Sequence, residues 1–206
     1  MKKDNNFYAL ILAGGSGLRF WPASRESLPK QFVDLTGSGK TLIQETFARI
    51  NKIIKTKNIF ISTNEKYKNL VLTQIPKVNS NNLICEPLKR NTAPSILYAS
   101  LKINQINQKA KLIVLPSDHY IEKLNEFYKN VEHAFSVSKS NHLITFGVNP
   151  KFPSTNYGYI KVSNTRESFQ KVLRFTEKPS MQLAENFLRS EMLSLIHISE
   201  PTRRKH

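Results

Sequence analysis

Apolar and polar positions vary along the chain in a way that predicts strands and helices in turn. Residues 110–115 form the clearest apolar run, and residues 7–12 form a similar one near the start. Elsewhere apolar residues recur with the spacing of amphipathic helices. Strands are predicted at residues 7–12, 58–62, 82–85, 110–115 and 143–146, and helices at residues 41–54, 65–74, 95–107 and 125–138. This alternation predicts a mainly parallel α/β sheet with helices on both faces.

The pattern changes after residue 150. Residues 155–162 alternate between apolar and polar side chains like a strand, and residues 172–176 form another short strand. Residues 181–188 have the spacing of a helix. We interpret this part as hairpin-like additions that form a second wall of a ligand site.

A glycine-rich loop follows the first predicted strand. Gly14, Gly15 and Gly17 allow a sharp turn and let a ligand approach the backbone N–H groups. Arg19 and Lys30 then add two cations. A strand, a glycine loop and two cations indicate an anion site, with phosphate as the favoured anion. The alternative is an ordinary tight turn after a strand.

Two common phosphate-binding motifs do not fit this loop. The dinucleotide fingerprint G-x-G-x-x-G requires a third glycine where Phe20 stands. A P-loop ending at Gly39-Lys40-Thr41 requires its first glycine where Asp34 stands. The sequence therefore disfavours hydride transfer to a dinucleotide and P-loop chemistry.

Other polar loops also follow predicted strands. Residues 86–94 follow the third strand, and Asp118 follows the fourth. Ligands of parallel sheets bind beyond the carboxyl ends of the strands, so these loops should share one edge. The Asp118 carboxylate suits a hard cation such as Mg²⁺, with a helix N-cap as the alternative. Glu177 and Lys178 could bind a hydroxylated ligand and a phosphate, or could be a solvated hairpin end.

Composition and charge narrow the function classes further. The chain has 206 residues and a net charge of +16, from 31 Lys and Arg against 15 Asp and Glu. These cations are spread along the chain, which favours a lysine-rich surface without a specific nucleic-acid partner. The single cysteine, Cys85, excludes an intrachain disulfide, and the first apolar run is too short for a signal peptide or membrane span. We expect a cytoplasmic protein with no membrane contact; the sequence leaves homo-oligomer formation open.

Taken together, these motifs resemble those of bacterial mannose-1-phosphate guanylyltransferases, of the sugar-phosphate nucleotidyltransferase superfamily. The resemblance extends over nearly all of residues 7–190. The matching residues are 12–17, 19, 21–22, 24–26, 29–32, 86–87, 90–94, 115–119, 145–147, 157–160 and 175–179. The resemblance implies a Rossmann-like nucleotidyltransferase domain with a mainly parallel, mixed sheet.

The same resemblance implies a reaction and its residues. GTP and α-D-mannose 1-phosphate would give GDP-mannose and pyrophosphate, by in-line attack of the sugar phosphate on the α-phosphorus, with Mg²⁺ as cofactor. By this resemblance Arg19, Lys30 and Asp118 are catalytic, and Asp118 also binds the metal. The implied nucleotide-binding residues are Gly14, Gly15, Ser16, Gly17, Glu86, Asn91 and Thr92. The implied sugar-phosphate residues are Gly147, Tyr157, Gly158, Glu177 and Lys178.

The end of the chain departs from the family pattern. Residues 193–203 match no family segment and resemble the translation of a transposon-end adapter. We expect a catalytic domain over residues 1–192 that is incomplete, followed by a foreign tail over residues 193–206. The alternative is a natural variable tail. An incomplete domain leaves a second function open, that of a catalytically weak GTP-binding module of the same fold.

Overall fold

The chain divides into two compact units. A computed structural model describes residues 3–15, 20–86, 92–139, 142–163, 169–189 and, for the backbone alone, 193–196. The first unit comprises residues 1–138 and the second residues 139–200. We call them the sheet unit and the hairpin unit. Among the described residues, no helix combines the length and the apolar character needed to cross a bilayer.

Parallel strands form the centre of the sheet unit. They are β1 (Phe7–Leu12), β2 (Ile59–Asn64), β3 (Leu83–Glu86) and β4 (Lys111–Pro116), in the order β3-β2-β1-β4. Each neighbouring pair is parallel, with Leu10 opposite both Phe60 and Val114. The predicted parallel sheet is confirmed, and the carboxyl ends of these strands lie at one edge.

Helices cover both faces of this sheet, as predicted. They are α1 (Leu42–Ile50), α2 (Lys68–Gln74), α3 (Thr92–Ile106) and α4 (Leu124–Val137). Alternate residues of a strand face opposite sides of a sheet. Ile11 accordingly belongs to a core with residues of α1, α2 and α4, whereas Leu10 belongs to a core with residues of α3. Helix α1 ends at Ile50, earlier than the predicted 54, although Ile53 and Ile54 remain buried.

The described residues of the hairpin unit include an antiparallel sheet and a helix. Strand β5 (Gly158–Val162) lies between β6 (Val172–Glu177) and β7 (Leu193–Ile196). Helix α5 (Met181–Arg189) follows β6. Tyr159 and Ala184 form a small core with Phe187 packed against it.

The prediction of a strand at residues 143–146 is wrong. Residues 142–147 form no strand, and Leu143, Ile144 and Phe146 are exposed. An apolar run becomes a strand only when another strand pairs with it, and none of the described strands pairs with this segment.

Candidate functional site

Several predicted site residues meet at the carboxyl edge of the parallel sheet. Gly14 and Gly15 follow β1, Glu86 ends β3, Thr92 begins α3, and Asp118 follows β4. A Cβ atom built on Gly14 would lie 3.8 Å from Glu86 Oε1, so the glycine loop and the end of β3 are adjacent. The predicted convergence of these loops is confirmed for the described residues.

Lys30 and Asp118 form an ion pair at this edge. Their side chains are 28% and 23% exposed, so both groups are partly shielded yet open to a ligand. Lys30 begins a short 3-10 turn, Lys30–Phe32, and its Nζ lies 5.5 Å from the centre of the Phe20 ring. The structure therefore brings together the cation and the carboxylate that were predicted from distant parts of the sequence.

Gln31 anchors the start of the glycine loop. Its side chain is 2% exposed, and its Nε2 donates hydrogen bonds to Ala13 O at 2.9 Å and Gly15 O at 2.8 Å. Thr63 Oγ1 donates a third bond to Ala13 O at 3.2 Å. This role was not predicted from the sequence, although Gln31 lies beside Lys30 in the matching segment of residues 29–32.

The carboxylate of Glu86 accepts a hydrogen bond from a hydroxyl group of the neighbouring strand, β2. Ser62 Oγ donates to Glu86 Oε1 at 2.6 Å, and Ser62 and Ser95 share a hydrogen bond at 2.8 Å. Ser95 lies in the first turn of α3, close after Thr92. The end of β3 and the start of α3 are thus connected through buried hydroxyl groups.

Four of the predicted sugar-phosphate residues come together in the hairpin unit. Gly158 pairs with Glu177 across β5 and β6, and Lys178 N–H donates to Tyr157 O at 3.3 Å. Lys178 has a φ of 44°, which is uncommon for a residue other than glycine and is often found at functional sites. The fifth residue, Gly147, is exposed in an irregular segment outside this strand pair.

Four other predicted residues lie outside the described part of the chain: Ser16, Gly17, Arg19 and Asn91. Their assignments stay predictions.

The donor set at this edge fits a metal that binds together with phosphates. Among the described residues, no cluster of three or more His, Cys, Asp or Glu side chains is present. Mg²⁺ commonly uses one or two carboxylates and completes its coordination with water and substrate phosphate oxygens. Asp118 beside the glycine loop is compatible with that mode of binding.

Comparison with known proteins gives consistent matches. A sequence pattern of the family described as Nucleotidyl transferase matches residues 8–193. The mannose-1-phosphate guanylyltransferase of Escherichia coli is 37% identical over 191 residues, which cover 88% of this chain and 41% of that protein. The chain thus spans well under two thirds of this curated relative's length.

Two solved structures share the fold. One, described as a mannose-1-phosphate geranyltransferase from Thermus thermophilus, has a TM-score of 0.83 and 28% identity, covering 92% of this chain and 55% of that chain. Another, described as a mannose-6-phosphate isomerase from Helicobacter pylori, has a TM-score of 0.72 and 29% identity, covering 92% of this chain and 67% of that chain. With the family pattern spanning the glycine loop, Lys30 and Asp118, the chain belongs to the nucleotidyl transferase family.

Proposed function

We propose that this chain is part of a mannose-1-phosphate guanylyltransferase, which makes GDP-mannose and pyrophosphate from GTP and α-D-mannose 1-phosphate. The observation that carries the proposal is the Lys30–Asp118 ion pair beside the start of the glycine loop. It provides a cation for a phosphate and a carboxylate for a metal at one sheet edge. The E. coli relative supports the choice of GTP and mannose 1-phosphate as substrates.

The proposed chemistry needs little more than positioning and charge neutralisation. The attacking oxygen belongs to a phosphate that is already anionic, so no general base has to remove a proton. Lys30 would neutralise charge around the α-phosphate, which lowers the barrier most when that charge grows in the transition state. Gly14 and Gly15 would place backbone N–H groups toward the triphosphate.

Asp118 would hold the metal, and the metal would supply charge neutralisation at the nucleotide phosphates. Divalent metal use is common among nucleotidyltransferases of this family. We propose Mg²⁺, because a single carboxylate plus phosphate oxygens is a usual set of ligands for that ion.

The hairpin unit would bind the sugar phosphate. Glu177 would accept hydrogen bonds from mannose hydroxyl groups, and Lys178 would bind the phosphate. Gly158 leaves room beside them, because a Cβ at this position would lie 3.0 Å from Glu177 Oε2. The substrates are metabolites, so we also propose a cytoplasmic protein without a specific nucleic-acid partner.

The test is pyrophosphate release by the chain with GTP, mannose 1-phosphate and MgCl₂. We expect no pyrophosphate release when any one of the three is left out. Release should be slower when GTP is replaced by another nucleoside triphosphate, or mannose 1-phosphate by glucose 1-phosphate. Strong preference for another substrate pair would overturn the specificity. Isomerisation of mannose 6-phosphate is assayed in parallel, because one structural neighbour carries that description.

A GTP-binding module without turnover is the second candidate, since the chain covers 41% of the E. coli relative. Calorimetry with GTP and MgCl₂ separates the two functions. Binding without pyrophosphate release would favour the module, and release would favour the enzyme.

A further inference from the structure

Helix α1 holds the backbone on both sides of Asp118. Thr46 Oγ1 donates a hydrogen bond to Ser117 O at 3.3 Å. Arg49 Nη2 donates to His119 O at 3.1 Å and to Thr46 Oγ1 at 3.0 Å. The carbonyl groups of the residues before and after Asp118, Ser117 and His119, are therefore both bound by one pair of side chains from α1.

These two side chains are buried beneath the site. Thr46 is 1% exposed and Arg49 is 6% exposed. Burying a guanidinium group is costly unless the group has partners, and burial lowers the pKa of Arg49 from its ordinary value. Among the ion pairs of the described residues, none includes Arg49. Its Nη2 instead binds the backbone next to Asp118.

Packing around Arg49 limits its movement. Its guanidinium carbon lies 5.6 Å from the centre of the Phe127 ring on α4, so the group is held between α1 and α4. Its Nε is buried without a hydrogen-bond partner, so stabilisation of the core is a poor reason for an arginine here. A methionine or leucine would fill such a space at lower cost.

We propose that Thr46 and Arg49 are positioning residues that clamp the turn of residues 117–119 and thereby fix the Asp118 carboxylate against Lys30. The clamp itself rests on the hydrogen bonds above. Its consequence for nucleotide binding rests on the proposed function, because Asp118 is there the ligand of a metal that arrives with GTP. If this turn were loosened, the Asp118 carboxylate would be in position to bind the metal in a smaller fraction of the molecules.

The test compares Thr46→Val with Thr46→Ser. Valine keeps the branched shape and removes the hydroxyl group, whereas serine keeps the hydroxyl group. Two measurements are made: amide hydrogen exchange of residues 117–119, and the affinity for GTP with MgCl₂ by calorimetry. We expect Thr46→Val to speed the exchange about tenfold and to weaken GTP binding about three- to tenfold, as loss of a hydrogen bond would. Thr46→Ser should stay close to the unchanged chain in both measurements.

A double-variant experiment separates positioning from general destabilisation. In an Asp118→Asn background, Thr46→Val should no longer change GTP affinity, because the group that it positions is already altered. An equal loss in both backgrounds would overturn the positioning role. Unchanged exchange at residues 117–119 would overturn the clamp, and so would equal effects of valine and serine.

Arg49→Lys gives a second route if Thr46→Val does not fold. Lysine keeps the charge, but its side chain is one bond shorter, so its ammonium group lies farther from Thr46 Oγ1 and His119 O, both of which Arg49 Nη2 reaches. The same rise in exchange and fall in affinity are expected, and their absence would contradict the proposal. If the unchanged chain binds no GTP, the proposed function fails, while the exchange measurements still decide the clamp.

Discussion

The two units differ in how they hold their candidate site residues. In the sheet unit, Leu10 and Ile11 are fully buried, and both faces of the sheet are covered by helices. In the hairpin unit, β6 exposes Val172, Leu173 and Phe175 by 42%, 57% and 38%. The sheet unit therefore buries more apolar surface around its site.

This difference indicates two kinds of site. Lys30 and Asp118 lie above buried supporting side chains such as Gln31, Thr46 and Arg49. Glu177 pairs with Gly158 of β5 at the end of β6, and Lys178 directly follows it. Regions with few buried apolar contacts open at lower free-energy cost, so we expect the hairpin unit to exchange its amides faster than the sheet unit.

The largest effect should come from removing a buried side chain in the sheet unit. Ile11→Ala should reduce the free energy of unfolding by about 2–5 kcal/mol, because it leaves a cavity in the core. Leu173→Ala, at an exposed position of β6, should change it by about 0.5 kcal/mol or less. Urea unfolding measures both, with Ile11→Val as an intermediate control. Equal losses at the two positions would contradict the contrast between the units.

Lysine substitutions should separate the roles of the two units. If the proposed function holds, Lys30→Ala should lower kcat about 10²- to 10³-fold, because charge stabilisation in the transition state is lost. Lys178→Ala should mainly raise KM for mannose 1-phosphate. Steady-state pyrophosphate release measures both, and the exposed Lys40 of the sheet unit provides a matched control, Lys40→Ala. Near-normal kcat in Lys30→Ala would remove Lys30 from the proposed role.

Removing the amide group of Gln31 should loosen the glycine loop. Gln31→Met keeps the length of the side chain but leaves Ala13 O and Gly15 O without this donor, at a cost of about 1–3 kcal/mol in stability. GTP affinity should fall as well. Asn82→Leu is the control, because Asn82 Nδ2 likewise donates to two carbonyl groups, Lys57 O at 2.9 Å and Ile59 O at 3.0 Å, at the amino ends of β2 and β3. A similar loss of GTP affinity in both variants would argue against a specific role of Gln31.

A modest effect should come from adding a methyl group to the hairpin unit. Gly158→Ala would place a Cβ 2.6 Å from the Phe175 ring, which must move aside. Since that ring is 38% exposed and can swing outward, we expect a cost of about 1 kcal/mol, seen as faster amide exchange in β5 and β6. Phe175→Leu should relieve the clash in the double variant. Unchanged exchange in Gly158→Ala would mean that the ring moves at no cost.

Much of the fold was predictable because its signals are local. The apolar runs at β1 and β4 are bounded by loops, and the helices between strands favour parallel pairing. The same connectivity predicted that Gly14, Glu86 and Asp118 would share an edge. The strand predicted at residues 143–146 is absent from the structure, because an apolar run carries no information about whether a partner strand lies beside it.

The sequence by itself determined where the parallel strands end, and hence that Gly14, Glu86 and Asp118 lie at one edge of the sheet. Only the tertiary structure decided what supports them. Arg49 contacts the carbonyl of His119, 70 residues away along the chain. Gln31 reaches back to Ala13, 18 residues away. Such contacts depend on how helices pack on the sheet, and no periodicity or motif records them, because a side chain's partner is set by the three-dimensional path of the backbone.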